Sequence, residues 1–168
     1  MRASRWPAPS GPAPGACEAH LMPTPELKMT VDELNDFLQA AFDGGRPYVV
    51  ESVEPNLARL VMPIEQLMIR PGGTVSGPTM MMMADAAAYA VILAHIGPVA
   101  LAVTSNLNIT FLRKPQPAAI LVEAEILKLG RKLAVVDARL RSDGSDDLIA
   151  QATVTYAIPS SPGDHARA

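Results

Sequence analysis

The chain has a single cysteine in 168 residues, Cys17, so it cannot form an internal disulfide. Its three histidines, His20, His95 and His165, are scattered, and no Cys/His cluster has zinc-site spacing. No metal site is expected. Aromatic residues make up 4% of the chain against 49% hydrophobic, so the core must be aliphatic, built from Ala, Val, Leu, Ile and Met. An excess of positive charge is also lacking: 14 Lys and Arg stand against 17 Asp and Glu, a net charge of −3. That balance gives no electrostatic footprint for nucleic acid and no polybasic segment for a membrane surface. The N-terminal stretch has no apolar signal-peptide core, and a cytoplasmic protein is expected.

The longest apolar run, "AAAYAVILAHIGPVALAV" at 86–103, approaches the length of a membrane span. His95 and the Gly97-Pro98 pair interrupt it, and Ser105-Asn106 follow closely. Helix, turn and buried strand is the better reading. The length suits one domain. Residues 1–27, rich in Pro, Ala and Gly, are expected to be a disordered tail, 28–159 the folded domain, and 160–168 a second disordered tail.

Within that domain, 30–42 reads as an amphipathic helix. Thr30 and Glu33 fit a capping box, Leu34, Phe37, Leu38 and Ala41 share a face, and "DGG" at 43–45 stops it. Residues 47–64 read as two strands with a turn at Pro55-Asn56. A Gly-rich connection, "RPGGTVSG", leads to a long apolar helix from Pro78 to His95. Four strands follow, at roughly 99–112, 117–129, 131–142 and 147–158. Consecutive strands after one helix that is apolar all round predict an α+β fold, an antiparallel sheet curled about that helix.

The chemistry concentrates in "SGPTMMMMAD" at 76–85. Between Arg70 and Arg113 the only formally charged side chain is Asp85, with no Lys or Arg three or four residues away. Two readings stay open. The carboxylate is solvated on the one wet side of the helix, or it faces a cleft as a general base or nucleophile, its basicity raised by poor solvation. Gly77 lies just before the helix, where unpaired backbone N–H groups sit at the positive end of the dipole and can polarise a carbonyl oxygen. In "VTSNLNIT", strict alternation puts Thr104, Asn106 and Asn108 on one face and Ser105 on the other. Basic pairs, Arg113-Lys114 and Arg131-Lys132, stand at two turns. Singly they are ordinary turn residues; together they suit ligand phosphates.

These residues, in "GGTVSGPTMMMMADAAAYAV", "TSNLNITFLRKP" and "ILKLGRKLAVVDARL", resemble the hotdog-fold thioesterases, specifically the PaaI-like acyl-CoA thioesterases, over about residues 34–158. The resemblance implies an antiparallel sheet of five to six strands around a central helix. It also implies a homodimer or dimer of dimers, with active sites at the subunit interface. The substrate is then an acyl-CoA small molecule; no cofactor is needed beyond the coenzyme A of the substrate itself. By the same resemblance Asp85 is the acid, Gly77 the carbonyl donor, and Thr104 the hydroxyl that positions water across the interface. Arg113, Lys114 and Arg131 meet CoA phosphates. Met81 or Met82 contributes to the acyl pocket, and Asn106 stands on the substrate side with Thr104. The chain also departs from the family pattern. Ser76 stands where the family usually has His, Pro78 where it has a second Gly, and Arg70 where many members carry Asn. A non-catalytic acyl-CoA or hydrophobic-ligand binding protein on the same scaffold is the alternative.

Overall fold

The computed structural model describes Trp6, residues 26–42 and residues 45–159. Most of the expected N-terminal tail, with Cys17 and His20, lies outside the described residues, as do Asp43-Gly44 and the C-terminal tail with His165. Trp6 is the described exception within 1–25. Its indole donates to Glu51 Oε2 at 3.0 Å, and the Arg59 guanidinium lies 5.5 Å from its ring centroid.

The first helix, α1 (Val31–Ala41), carries the expected capping box: the Glu33 N–H donates to Thr30 Oγ1, and the Thr30 N–H to Glu33 Oε2 at 2.8 Å. Leu34 and Leu38 are fully buried. Strands β1 (Val49–Glu54) and β2 (Leu57–Met62) form a hairpin. Pro55 sets φ at the first turn position and Asn56 takes φ 65° at the second, the pair a type II turn asks for. Asn35 of α1 closes the outer edge of the sheet. Its side chain accepts from the Val50 N–H at 3.1 Å and donates to the Val50 carbonyl at 3.0 Å, as a neighbouring strand would.

The connection to the long helix holds a short 3-10 turn, Ile64–Gln66, and a two-stranded hairpin, β3 (Ile69–Arg70) with β4 (Thr74–Val75). Helix α2 (Gly77–Ile96) follows and ends at Gly97, whose φ of 90° suits glycine and whose N–H bonds Leu93. Then come β5 (Val103–Phe111), β6 (Ile120–Leu129), β7 (Leu133–Ser142) and β8 (Leu148–Ala157). The main sheet is antiparallel with order β1-β2-β6-β7-β8-β5, so β1 and β5 are its edges. This is the expected hotdog arrangement.

Helix α2 is the one described helix long and apolar enough to cross a membrane, and the sheet wraps it instead. Ala84, Ala87, Ala88, Ala90 and Ala94 are fully buried, and these small side chains let strands approach closely; Met83, Ile92 and Leu93 fill the remaining space. Each such large side chain contributes about 1.5–3 kcal/mol by leaving water. One stripe stays open in the first half of the helix: Pro78, Met81, Met82 and Asp85.

His95, in the last turn of α2, lies 2.7 Å from the Val91 carbonyl through Nδ1. Its Nε2 also accepts the Asn56 N–H at 2.9 Å, tying the helix to the β1–β2 turn. The two bonds together require the Nδ1–H tautomer. His95→Phe keeps the bulk but orphans the Asn56 donor. Unfolding in urea should show a loss of about 1–3 kcal/mol.

Candidate active site

Asp85 reaches its position from the middle of α2, but strands far along the chain hold it there. Thr104 Oγ1 on β5 donates to Asp85 Oδ1 at 2.6 Å, and Tyr156 Oη on β8 donates to the same oxygen at 2.9 Å. The Tyr156 hydroxyl is also 3.2 Å from the Asp85 carbonyl. Among the described residues no donor reaches Oδ2. The acid is half-buried and lines a cleft.

That cleft is a cavity of about 250 Å³. Phe42, Pro47, Tyr48, Met82, Tyr89 and Tyr156 form its apolar wall, with Arg46 and Asp85 as its charged members. All three tyrosines of the chain line it. Arg46 fixes the wall ahead of β1: its guanidinium donates to the Tyr48 carbonyl at 2.6 Å and to Asn35 Oδ1 at 2.5 Å, and it lies 5.4 Å from the Tyr48 ring centroid. Sequence reasoning missed the three tyrosines and Arg46. Their signal was scarcity: few aromatics, with Tyr156 on the inward beat of "IAQATVTY", where a phenol needs a partner.

Thr104, expected to position water across the interface, meets Asp85 within one chain from the open edge strand β5. The expected face of β5 also needs correction. The register against β8 slips between Thr104 and Asn106, leaving Ser105 as a bulge. Thr104 pairs with buried Tyr156 and faces inward, whereas Asn106 and Asn108 pair with Thr155 and Thr153 on the outer face. Asn106 is therefore not beside Asp85 in this chain.

The helix start shows what the departures do. Ser76 is the N-cap: its Oγ accepts the Thr79 N–H at 3.3 Å and lies 2.8 Å from Thr79 Oγ1, in a residue only 7% exposed. Its hydroxyl is engaged in capping. Pro78 has no N–H, and Thr79 has spent its own on Ser76. Gly77 keeps the one free N–H of the first turn.

Gly77 lies in a second cavity, about 500 Å³, with Met80, Phe111, Arg70, Arg113 and Lys114. Arg70 is steadied by its bond to Thr74 Oγ1 at 2.7 Å, and Arg113 by Asp147 at 3.4 Å. Arg131 is elsewhere, at the β6–β7 turn, about 25 Å along the strands from Arg113. Of the four methionines, Met80 and Met83 are buried, Met82 lines the Asp85 cavity, and Met81 is exposed and lines neither cavity. Among the described residues no three His, Cys, Asp or Glu side chains cluster as metal ligands.

The profile of the thioesterase superfamily matches residues 72–149, which include both cavities' helix residues. A crystal structure of a candidate thioesterase from Silicibacter is 39% identical, with a TM-score of 0.75 over 82% of this chain and 96% of that one. The chain belongs to the thioesterase superfamily. This thioesterase-superfamily protein is also similar to a phenylacetic acid degradation-related protein from Ralstonia eutropha, at 26% identity and a TM-score of 0.58, covering 66% of this chain and 84% of that one. Zebra fish thioesterase superfamily member 2 shares the fold, with 24% identity and a TM-score of 0.68 over 78% and 99% of the two chains. No curated protein matches.

Burial pushes the Tyr156 hydroxyl far above the usual phenol range, and the Asp85 charge pushes it further. Burial raises Tyr48 and Tyr89 as well. Raised phenols favour the folded state's neutral form. Stability is therefore complete below the ordinary phenol value, about pH 10, and falls above it, where the unfolded chain ionises first. Urea titrations from neutral pH upward should show that plateau and decline, with tyrosinate absorbance growing only as the fold is lost.

Proposed function

We propose that this thioesterase-superfamily protein is a PaaI-like acyl-CoA thioesterase, hydrolysing a CoA thioester to the free acid and CoA. The observation that carries the reading is Asp85, the sole charge of α2, with one oxygen held by two hydroxyls and the other open to a cavity. A water gives a proton to Asp85 while its oxygen attacks the thioester carbonyl. The C–S bond breaks, and the departing thiolate takes the proton from Asp85. The Gly77 N–H, at a helix start, stabilises the oxyanion. Water, a carboxylate and an amide suffice, so the reaction calls on no metal or redox cofactor.

One chain cannot bring these groups together. Gly77 and Asp85 are eight residues apart on one helix, about 12 Å along its axis. A second copy supplies what is missing. Strand β5 is an open edge that runs antiparallel to α2, with Phe111 beside Gly77 and Thr104 bonded to Asp85. If β5 pairs with its own copy about a two-fold axis near Leu107, position 104 comes opposite position 111. The Asp85 cavity of one subunit then faces the Gly77 cavity of the other. Val103, Phe111, Leu112, Met81 and Met82, all exposed in one chain, would be covered. Arg70, Arg113 and Lys114 beside Gly77 suit the CoA phosphates, and the tyrosine-lined cavity suits the acyl group. A CoA ester fits the cytoplasmic location expected from the sequence.

Asp85→Asn should lower acyl-CoA hydrolysis by roughly a hundred- to ten-thousandfold, measured over a panel of acyl-CoA esters. Equal rates would sink the mechanism. Ester binding in calorimetry without thiol release by the wild type would favour a non-catalytic binding protein. A mixing experiment tests the shared site. Gly77→Pro removes the donor at a first-turn position that tolerates proline, after a Ser76 already extended at φ −72° and ψ 150°. Each variant alone should be inactive. An equal mixture, refolded together, should recover about a quarter of the wild-type rate, because half of the dimers are mixed and each has one intact site. No recovery means the site lies within one chain.

A further inference from the structure

Tyr156, on β8, bonds Asp85 from the cavity wall. It is 3% exposed, and its ring stacks on Tyr89 with centroids 5.8 Å apart and planes at 19°. Tyr89 is itself anchored, its hydroxyl donating to the Ala100 carbonyl at 3.2 Å in the α2–β5 connection. The phenol of Tyr156 is thus held from the side while its hydroxyl touches both the backbone and the carboxylate of Asp85. Thr104 and Tyr156 come from neighbouring strands and converge on Oδ1 alone. An oxygen that accepts two hydroxyl hydrogens has little density left for a third. Oδ2 keeps its lone pairs.

We infer that Tyr156 is a positioning residue of the thioesterase reaction: it pins Oδ1 of Asp85 so that Oδ2 alone faces the substrate and takes the proton. The inference rests on the reading of Asp85 as the catalytic carboxylate. The groups facing that carboxylate are Thr104 from β5, Tyr156 from β8, Tyr89 from α2, and Tyr48 and Arg46 from the segment before β1. Tyr48 makes no direct hydrogen bond to Asp85, and neither do Arg46 and Tyr89, so the two hydroxyls set its orientation. Burial keeps the Tyr156 phenol protonated through the working pH range, so it serves as a fixed donor and not as an acid or base.

The test is Tyr156→Phe, which keeps the ring and its stacking on Tyr89 and removes only the hydroxyl. Loss of one hydrogen bond to a charged group predicts a fall in kcat of about tenfold, with KM within about twofold. A donor to the ionised form is gone, so the acid limb of the kcat/KM profile moves to higher pH. Carbon-13 NMR of the Asp85 carboxyl should show the same upward move, and this readout does not depend on activity. Thr104→Val should act in the same direction, and the double variant should lose more than either alone. If Tyr156→Phe lowers the melting temperature but leaves the carboxyl titration and the pH profile unchanged, Tyr156 is structural and the inference is overturned. If the carboxyl titration moves while Asp85→Asn retains full activity, the positioning stands and the proposed reaction falls.

Discussion

Close packing of an alanine-rich helix inside a curved sheet is the constraint on which the rest of the structure depends. With Ala84, Ala87, Ala88, Ala90 and Ala94 fully buried, strands lie against α2 on nearly every side. A helix enclosed this way can meet a ligand only where the wrapping stops. It stops along Pro78, Met81, Met82 and Asp85, beside the open edge of β5. The openness of Asp85 is therefore a consequence of packing: the one ungirdled stripe is the one that carries the charge. The same enclosure makes the carboxylate precise, because Thr104 and Tyr156 reach it from strands whose registers the core fixes.

The helix start shows a related economy. Capping by Ser76 and the proline at 78 leave Gly77 as the only uncommitted donor of the first turn. The usual family pattern of His and a second Gly offers more polar groups there. Here a single free amide lies at the positive end of the helix dipole. The residues that depart from the family pattern thus leave one backbone donor uncommitted at the helix start.

Much of this was legible from the residues alone. The capping box at Thr30 and Glu33, the turn at Pro55-Asn56, the length of α2 and the four later strands follow from local chemistry, with boundaries displaced by a few residues. The importance of Asp85 was legible because an isolated charge in a long apolar stretch needs an explanation. What escaped was set by distant pairing. Tyr48, Tyr89 and Tyr156 are 41 and 67 residues apart in sequence and meet only once the sheet closes around the helix. Arg131 looked equivalent to Arg113 by residue type, but strand length puts the two at opposite ends of the sheet. The two-residue strands β3 and β4 sit in a Gly-rich segment with too few residues for any periodicity.

The bulge at Ser105 was invisible to alternation, since it breaks the rule that alternation assumes. It also lends the site a kind of insurance. Two hydroxyl residues, Thr104 and Ser105, straddle the point where the strand changes phase. In the bulged strand Thr104 is opposite Tyr156 and faces the carboxylate. In a straightened strand Ser105 would take that place. A single-residue slip, which ordinarily swaps every side chain to the wrong side of a sheet, would here exchange one hydroxyl for another. The strand at the open edge of the sheet is thus the one at which a change of register would be chemically forgiven.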